Sequence, residues 1–289
     1  MTQFRAALVQ MRSVRTVAPN IAAAEALIRE AAASGAIYVQ TPENTNIMEP
    51  DTEALFAALV PEAEDPTLAR LRRVAAELGI WLHIGSLAIR QTPSMAANRA
   101  FLIAPDGSVA ARYDKIHLFD VNLANGESYL ESARVRPGAE AVTYDLPFGR
   151  IGFAICYDMR FPHLFRTLAK TGGAEILTAP AAFTKTTGEA HWHVLLRARA
   201  IETGAYMLAA AQGGTHETGR QTFGHSIVID PWGRVIAEAG TEPCVITADV
   251  DVDQVALVRS RIPALDHDRP FGPPRSPPIS VSRLKGAAE

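Results

Sequence analysis

Arg150-Ile151-Gly152-Phe153-Ala154-Ile155-Cys156 is an apolar run that ends on a thiol. It is followed by a helical stretch over 162–170, opened by Pro162, and by a second apolar run over 174–178. Read in order this is strand, helix, strand, and short apolar runs bounded by turn residues are the mark of buried strands. Moving outward, the same alternation fills the first half. Strands are predicted over 4–10, 37–40, 80–89, 98–104 and 109–113, the last two joined by the turn Pro105-Asp106-Gly107. Helices are predicted over 19–33, stopped by Gly35, and over 66–78, with proline at the start and Gly79 after the end. Downstream of Cys156 a helix over 189–202 precedes strands over 206–211, 223–229, 235–238 and 245–250, with Asp230-Pro231-Trp232-Gly233 as a tight turn. Helices between strands argue for an α/β fold, and the hairpins argue for mixed sheets. About a dozen strands with four or five helices are too many for one open sheet, so two stacked sheets with helices outside are expected.

Composition narrows the function classes. The 289 residues carry 28 Lys and Arg against 31 Asp and Glu, a formal charge of −3. That balance supplies no basic stripe for nucleic acid and no cationic patch for anionic lipid. Hydrophobic residues make up 48% and charged residues 20%, the composition of a folded globule. Two cysteines cannot build a disulfide framework. The start of the sequence lacks the basic and apolar regions of a signal peptide, and no long uncharged apolar stretch reads as membrane-spanning. The expectation is a soluble cytoplasmic protein with a single domain over 1–289, in which 263–289, holding six prolines, runs extended over the surface or a neighbouring subunit.

Cys156 sits where a strand gives way to a helix, at the sheet edge where α/β crevices form, with the positive end of a helix nearby to favour thiolate. A thiol needs a base and a stabiliser for an oxyanion. Glu43, after Pro42 at the exit of the 37–40 strand, and Lys115, at the exit of the 109–113 strand, are placed to converge on it. Taken singly, each of these residues also reads as an ordinary buried thiol or a solvated surface charge. Metal binding finds no support: His191 and His193 lie two apart on one helix and point to opposite sides, and there is no His-Glu-x-x-His or paired Cys-x-x-Cys. A serine hydrolase motif and a phosphate-binding glycine loop are also missing, so no cofactor is expected.

The stretches Pro42-Glu43, Tyr113-x-Lys115-Ile116-His117-Leu118-Phe119-Asp120 and Gly152 to Pro162 resemble the nitrilase, or carbon–nitrogen hydrolase, superfamily. So do His191-Trp192 through Glu202 and Gly224-His225-Ser226 through Gly233, in consistent order to about residue 270. The resemblance implies a four-layer αββα sandwich of two mixed six-stranded sheets, and a Glu-Lys-Cys triad carried onto Glu43, Lys115 and Cys156. The second glutamate of the family falls on Glu131, which matches better than Glu127. It further implies a thioester on Cys156, with Glu43 as base and Lys115 and the Tyr157 N–H holding the oxyanion. The expected reaction is hydrolysis of the primary amide of a small carboxylated substrate, with nitrile hydrolysis as an alternative and an idle binding homologue as the rival class. Arg160, one turn past Cys156, is expected to pair with the substrate carboxylate or with an internal acid such as Asp158. Tyr157, Phe183 and His191 complete the expected substrate contacts, and His216, Arg220 and Lys185 are candidates for a polar outer pocket. The block 209–216, with 223–226, is similar to the branch acting on deaminated glutathione, the omega-amidases being neighbours. A homodimer or higher homo-oligomer is expected, paired through the helices after Cys156 and around 189–202. Gln40-Thr41 departs from the aliphatic residue more usual ahead of the proline.

Overall fold

The computed structural model describes residues 2–123, 126 and 128–273. In chain order its elements are β1 (Gln3–Gln10), α1 (Val17–Ala33), β2 (Tyr38–Gln40), α2 (Thr52–Ala58), α3 (Pro66–Leu78), β3 (Trp81–Arg90), β4 (Ala96–Ile103) and β5 (Val109–Asp114). There follow β6 (Asp120–Asn122), β7 (Ser128–Leu130), β8 (Thr143–Leu146), β9 (Gly149–Gly152), α4 (Pro162–Lys170), β10 (Ile176–Thr178), α5 (Lys185–Thr203) and β11 (Tyr206–Ala209). The last are β12 (Gly213–Thr215), β13 (Gln221–Phe223), β14 (Ile227–Ile229), β15 (Val235–Glu238), β16 (Cys244–Asp251) and α6 (Asp253–Arg261).

Two six-stranded sheets result, in the orders β16-β1-β2-β3-β4-β5 and β15-β14-β11-β10-β9-β8. Each is mixed: β1, β2 and β3 run parallel in one and β9, β10 and β11 in the other, with antiparallel strands at the flanks. The period of two along β1 shows why four layers form. Phe4, Ala6 and Leu8 pack with Phe153, Ile151 and Leu208 between the sheets, whereas Ala7 and Val9 pack with Ile28 of α1 and Leu71 of α3. Both faces of the strand are therefore apolar and buried, and α4 and α5 cover the second sheet through Phe165, Leu168, Trp192 and Leu196. The αββα sandwich expected from the sequence is the fold observed.

Several boundaries move, each for a local reason. The strand predicted over 150–155 keeps its ladder only to Gly152. Beyond it the chain peels away, Ile155 N–H donating to the Asp158 carboxylate at 2.8 Å and Cys156 N–H to the Pro180 carbonyl at 2.9 Å. The single strand predicted over 223–229 is broken into β13 and β14 because Gly224 and His225 both take positive φ, 71° and 55°. The helix predicted over 189–202 begins earlier, at Lys185. Of the proline-rich segment, the part up to residue 273 is described and lies against its own chain, Asp268 pairing with Arg166 and Lys170 of α4; residues 274–289 lie outside the described residues.

Candidate active site

Three strand exits meet at one end of the sandwich. The chain leaving β2 turns at Pro42 to present Glu43, the chain leaving β5 presents Lys115, and the chain leaving β9 presents Cys156. All three are buried, with Lys115 only 2% exposed. Lys115 Nζ lies 2.8 Å from Glu43 Oε1 and 2.9 Å from Glu131 Oε2. The Cys156 thiol faces the Glu43 carboxylate, close enough that each shifts the other's ionisation. Glu43 Oε2 accepts the Ala182 N–H at 2.8 Å, and Glu131 Oε2 the Phe119 N–H at 2.7 Å. Asn98 Nδ2 donates to both carboxylates, at 2.9 Å to Glu43 and 3.1 Å to Glu131, a bridging role that the sequence does not announce because Asn98 sits mid-strand on β4.

Backbone geometry fixes the thiol. Cys156 has φ of 49°, the left-handed region that a side-chain-bearing residue enters only at a cost of about 1–3 kcal/mol. Asp158, fully buried, holds this turn: its carboxylate accepts from Ile155 N, from Tyr113 Oη at 2.7 Å and from His117 N at 2.9 Å. Opposite, the glutamate loop is braced by a β-bulge in β3. Ser86 N donates to Pro42 O, Ser86 O accepts from Thr45 N, and Ser86 Oγ accepts from Asn44 N at 3.0 Å.

The electrostatics follow from burial plus pairing. Burial alone raises the Glu43 carboxyl, but the Lys115 charge, its hydrogen bond, the thiol and the Ala182 N–H outweigh it, and the group lies below its ordinary value. Burial opposes the Lys115 charge, yet the Glu131 and Glu43 carboxylates hold the ammonium well above the usual lysine range. Burial first, and the Glu43 charge second, push the Cys156 thiol up against the opposing pull of Lys115. The resting cluster is a neutral thiol against a carboxylate, with an ammonium beside both. The thiol reads in the sequence as thiolate-prone because a helix N-terminus follows; burial overrides that effect.

These groups open onto a cavity of about 590 Å³, the size range of small-ligand sites. Phe183, Asn44, Met48, Tyr129, Arg134 and Arg220 contribute to its wall. Among the expected substrate contacts Phe183 lines this cavity. Arg160 lies next to that wall, over the Phe183 ring at 5.3 Å and the Tyr157 ring at 5.9 Å, and donates to His191 Nδ1 at 3.3 Å, while Asp158 is taken by Tyr113 and His117. His216 is buried between Ser13 O and Thr222 Oγ1, and Lys185 opens α5 between Thr184 and Thr187, which line the cavity. Arg199, itself buried, pairs at 2.7 Å with the more exposed Glu202. His193 joins not His191 but His225 and Glu238, their ligand atoms lying within 4.8 Å of one another. Glu127, the other glutamate near the site in sequence, lies outside the described residues.

The carbon-nitrogen hydrolase family model matches residues 5–260. Deaminated glutathione amidase of Synechocystis sp. is 41% identical over 271 residues, covering 92% of this chain and 98% of that protein. Omega-amidase NIT2 of Homo sapiens is 36% identical over 269 residues, covering 93% and 96%. Among solved structures, a mutant of the amidase from Nesterenkonia sp. AN1 superposes with a TM-score of 0.78 at 26% identity, covering 92% of this chain and 94% of that one. That structure carries the acetamide moiety of fluoroacetamide added covalently at its active-site cysteine.

Proposed function

Because the chain belongs to the carbon-nitrogen hydrolase family, we propose that it hydrolyses the amide of a small carboxylated substrate through a thioester on Cys156. The observation that carries this reading is that buried Lys115 bonds both Glu43 and the half-buried Glu131 beside the buried Cys156 thiol, on the wall of one cavity. Glu43 takes the thiol proton as Sγ bonds to the amide carbon, and the carbonyl electron pair becomes an oxyanion. Lys115 Nζ and the Tyr157 N–H hold that charge; one such donor is worth about 3 kcal/mol of transition-state stabilisation. The oxyanion collapses, Glu43 passes its proton to the leaving nitrogen, and the carbon–nitrogen bond breaks to leave the thioester. Water then attacks the same carbon, giving its proton to Glu43, and the thiol departs with that proton as the carboxylic acid is released. Glu131 acts as a positioning residue, since its contacts are to Lys115, Asn98 and the Phe119 N–H.

Deaminated glutathione is the substrate favoured by the 41% identical relative, and the substrate of omega-amidases is the second reading, favoured by the 36% identical one. A primary amide yields ammonia, whereas deaminated glutathione yields the amine of its peptide part. Steady-state kinetics on deaminated glutathione and 2-oxoglutaramate separate them. A kcat/KM at least about tenfold higher for the former is expected, and the reverse order transfers the assignment.

The assembly is proposed to be a homodimer formed across α5. Val194 and Ile201, seven residues apart and so on one helical face, are 68% and 54% exposed, with Trp232 beside Ile201's turn of chain 45% exposed. Sedimentation equilibrium that finds monomer alone removes this part. Among the described residues no helix is long and apolar enough to cross a membrane. A reducing cytoplasm is the proposed compartment, because both cysteines are free thiols and the chemistry needs one of them reduced.

A further inference from the structure

Away from the cavity, side chains from three separate elements converge on one point: His193 of α5, His225 in the turn between β13 and β14, and Glu238 at the end of β15. His193 Nε2 lies 2.8 Å, and His225 Nδ1 2.7 Å, from the same carboxylate oxygen, Glu238 Oε1. Among the described residues these two histidines are the salt-bridge partners of Glu238. The proposed amide chemistry uses none of the three. Local spacing hides the group in the sequence, since His225 and His193 lie 13 and 45 residues from Glu238.

The two imidazoles stand on backbone that is held by contacts outside the group. His225 N–H donates to the Gly240 carbonyl at 2.8 Å, and His225 O accepts from Trp192 Nε1 at 2.9 Å. Trp192, fully buried, is the chain neighbour of His193, so one indole ties the helix that carries the first histidine to the turn that carries the second. The Phe223 ring stacks on the His225 ring at 4.3 Å and meets the His193 ring edge-on at 5.9 Å. An apolar wall therefore backs both imidazoles, while the three side chains stay partly exposed and open to a small ion from solvent.

We infer that His193, His225 and Glu238 form a binding site for a divalent transition-metal ion of the zinc type. Two imidazoles and one carboxylate are a zinc donor set, and three protein ligands leave a fourth position for water. The present separations are those of hydrogen bonds. Ligands around zinc stand about 3.3 Å apart, so the carboxylate withdraws by about half an ångström as the ion takes the place of the two shared protons. Each imidazole then carries its proton on the nitrogen that faces away from the ion. Bound there, the ion clamps α5 to β15, the edge strand of the second sheet. The clamp reaches the cavity wall through Trp192, whose ring lies 5.4 Å from that of Phe183. The inference does not depend on the amidase reading, and neither falls with the other.

Zinc titrated calorimetrically into the full chain without an affinity tag tests it, in a Cys156→Ala background that removes the buried thiol as a competing ligand. One ion per chain is expected, with affinity lower by about tenfold or more in His193→Gln and in Glu238→Gln. His191→Gln changes a histidine of the same helix outside the group and is expected to bind as the parent does. Cobalt(II) in place of zinc is expected to give visible d–d absorption without a thiolate charge-transfer band, and both ligand variants to lose that absorption. Thermal melts without metal check that each variant is folded, and the cobalt spectrum of the parent reports the ligand set without any variant. No uptake by the parent, a thiolate band, affinity unchanged in the ligand variants, or an equal loss in His191→Gln overturns the site.

Discussion

Glu43 accepts hydrogen bonds from Lys115, Asn98 and the Ala182 amide and faces the Cys156 thiol. Its depressed ionisation and the raised thiol mean that the proposed nucleophile rests protonated beside a carboxylate ready to take the proton. Glu43→Gln keeps the size and most of the hydrogen bonds but cannot accept that proton. A loss in kcat of about 10²–10⁴ is expected, with folding retained. The pH profile gives a second check. Wild-type kcat/KM should fall only when pH drops through the folded value of Glu43, below the ordinary 4.5, and the variant's residual rate should lack that acid limb. An acid limb unchanged in Glu43→Gln would assign the titration elsewhere. The same depression stabilises the fold above pH 4.5, and that contribution is lost as pH falls toward the lower folded value. The strand-exit positions of Glu43, Lys115 and Cys156 were legible in the sequence, but taken singly each read as an ordinary surface charge or buried thiol, and the resemblance to the carbon–nitrogen hydrolases is what joined them. Asn98 was not legible: it is a polar residue in mid-strand, and only folding gives it its partners. Arg160 was placed in the sequence by helical spacing after Cys156, whereas the chain makes a tight 3-10 turn over 156–160 that sets its guanidinium over the Phe183 ring.

At the level of elements, the bulge in β3 couples sheet geometry to the site. Gly85 occupies it because no other residue fits: an added Cβ would lie 2.0 Å from the Thr41 carbonyl oxygen, 2.5 Å from Pro180 Cβ and 2.7 Å from the Pro42 carbonyl carbon. Those neighbours are the backbone ahead of Glu43 and the residue whose carbonyl holds the Cys156 N–H. Gly85→Ala is expected to cost about 1–3 kcal/mol of stability and, by shifting Glu43 against Cys156, about 10²-fold in kcat/KM. Gly240→Ala, where a Cβ meets nothing within 4 Å, is the comparison that should show neither loss. Thermal melts and steady-state rates on both variants check this, and equal behaviour would dissociate the bulge from the site. The long elements were readable because apolar period and caps agree: α3 matches its expected bounds, with Asp65 capping Leu68 N and Gly79 closing the helix at φ 65°. The pairs β6–β7 and β12–β13 and the helix α6 were not, being short or polar segments that tertiary contacts stabilise.

Across the whole molecule, the proposed reacting residues belong to different sheets: Glu43 and Lys115 leave the first and Cys156 leaves the second. Their meeting is a consequence of stacking, and polar ties cross the sandwich to secure it. Gln40 Oε1 accepts the Ala210 N–H at 2.9 Å, Gln212 Nε2 donates to the Glu43 carbonyl at 3.0 Å, and Tyr113 reaches Asp158. Gln40 thus explains its own presence ahead of Pro42, where an aliphatic residue has no means of satisfying that amide. Two sheets and outer helices could be counted from the sequence, whereas this polar stitching could not, because its partners lie up to 170 residues apart. The account stands on one covalent event at the point where the sheets join. Hydrolysis of deaminated glutathione and 2-oxoglutaramate by Cys156→Ala, read as 2-oxoglutarate formed and accompanied by a thermal melt, tests it most directly. The account predicts no turnover above the uncatalysed rate from a folded protein; turnover at the wild-type level would contradict it.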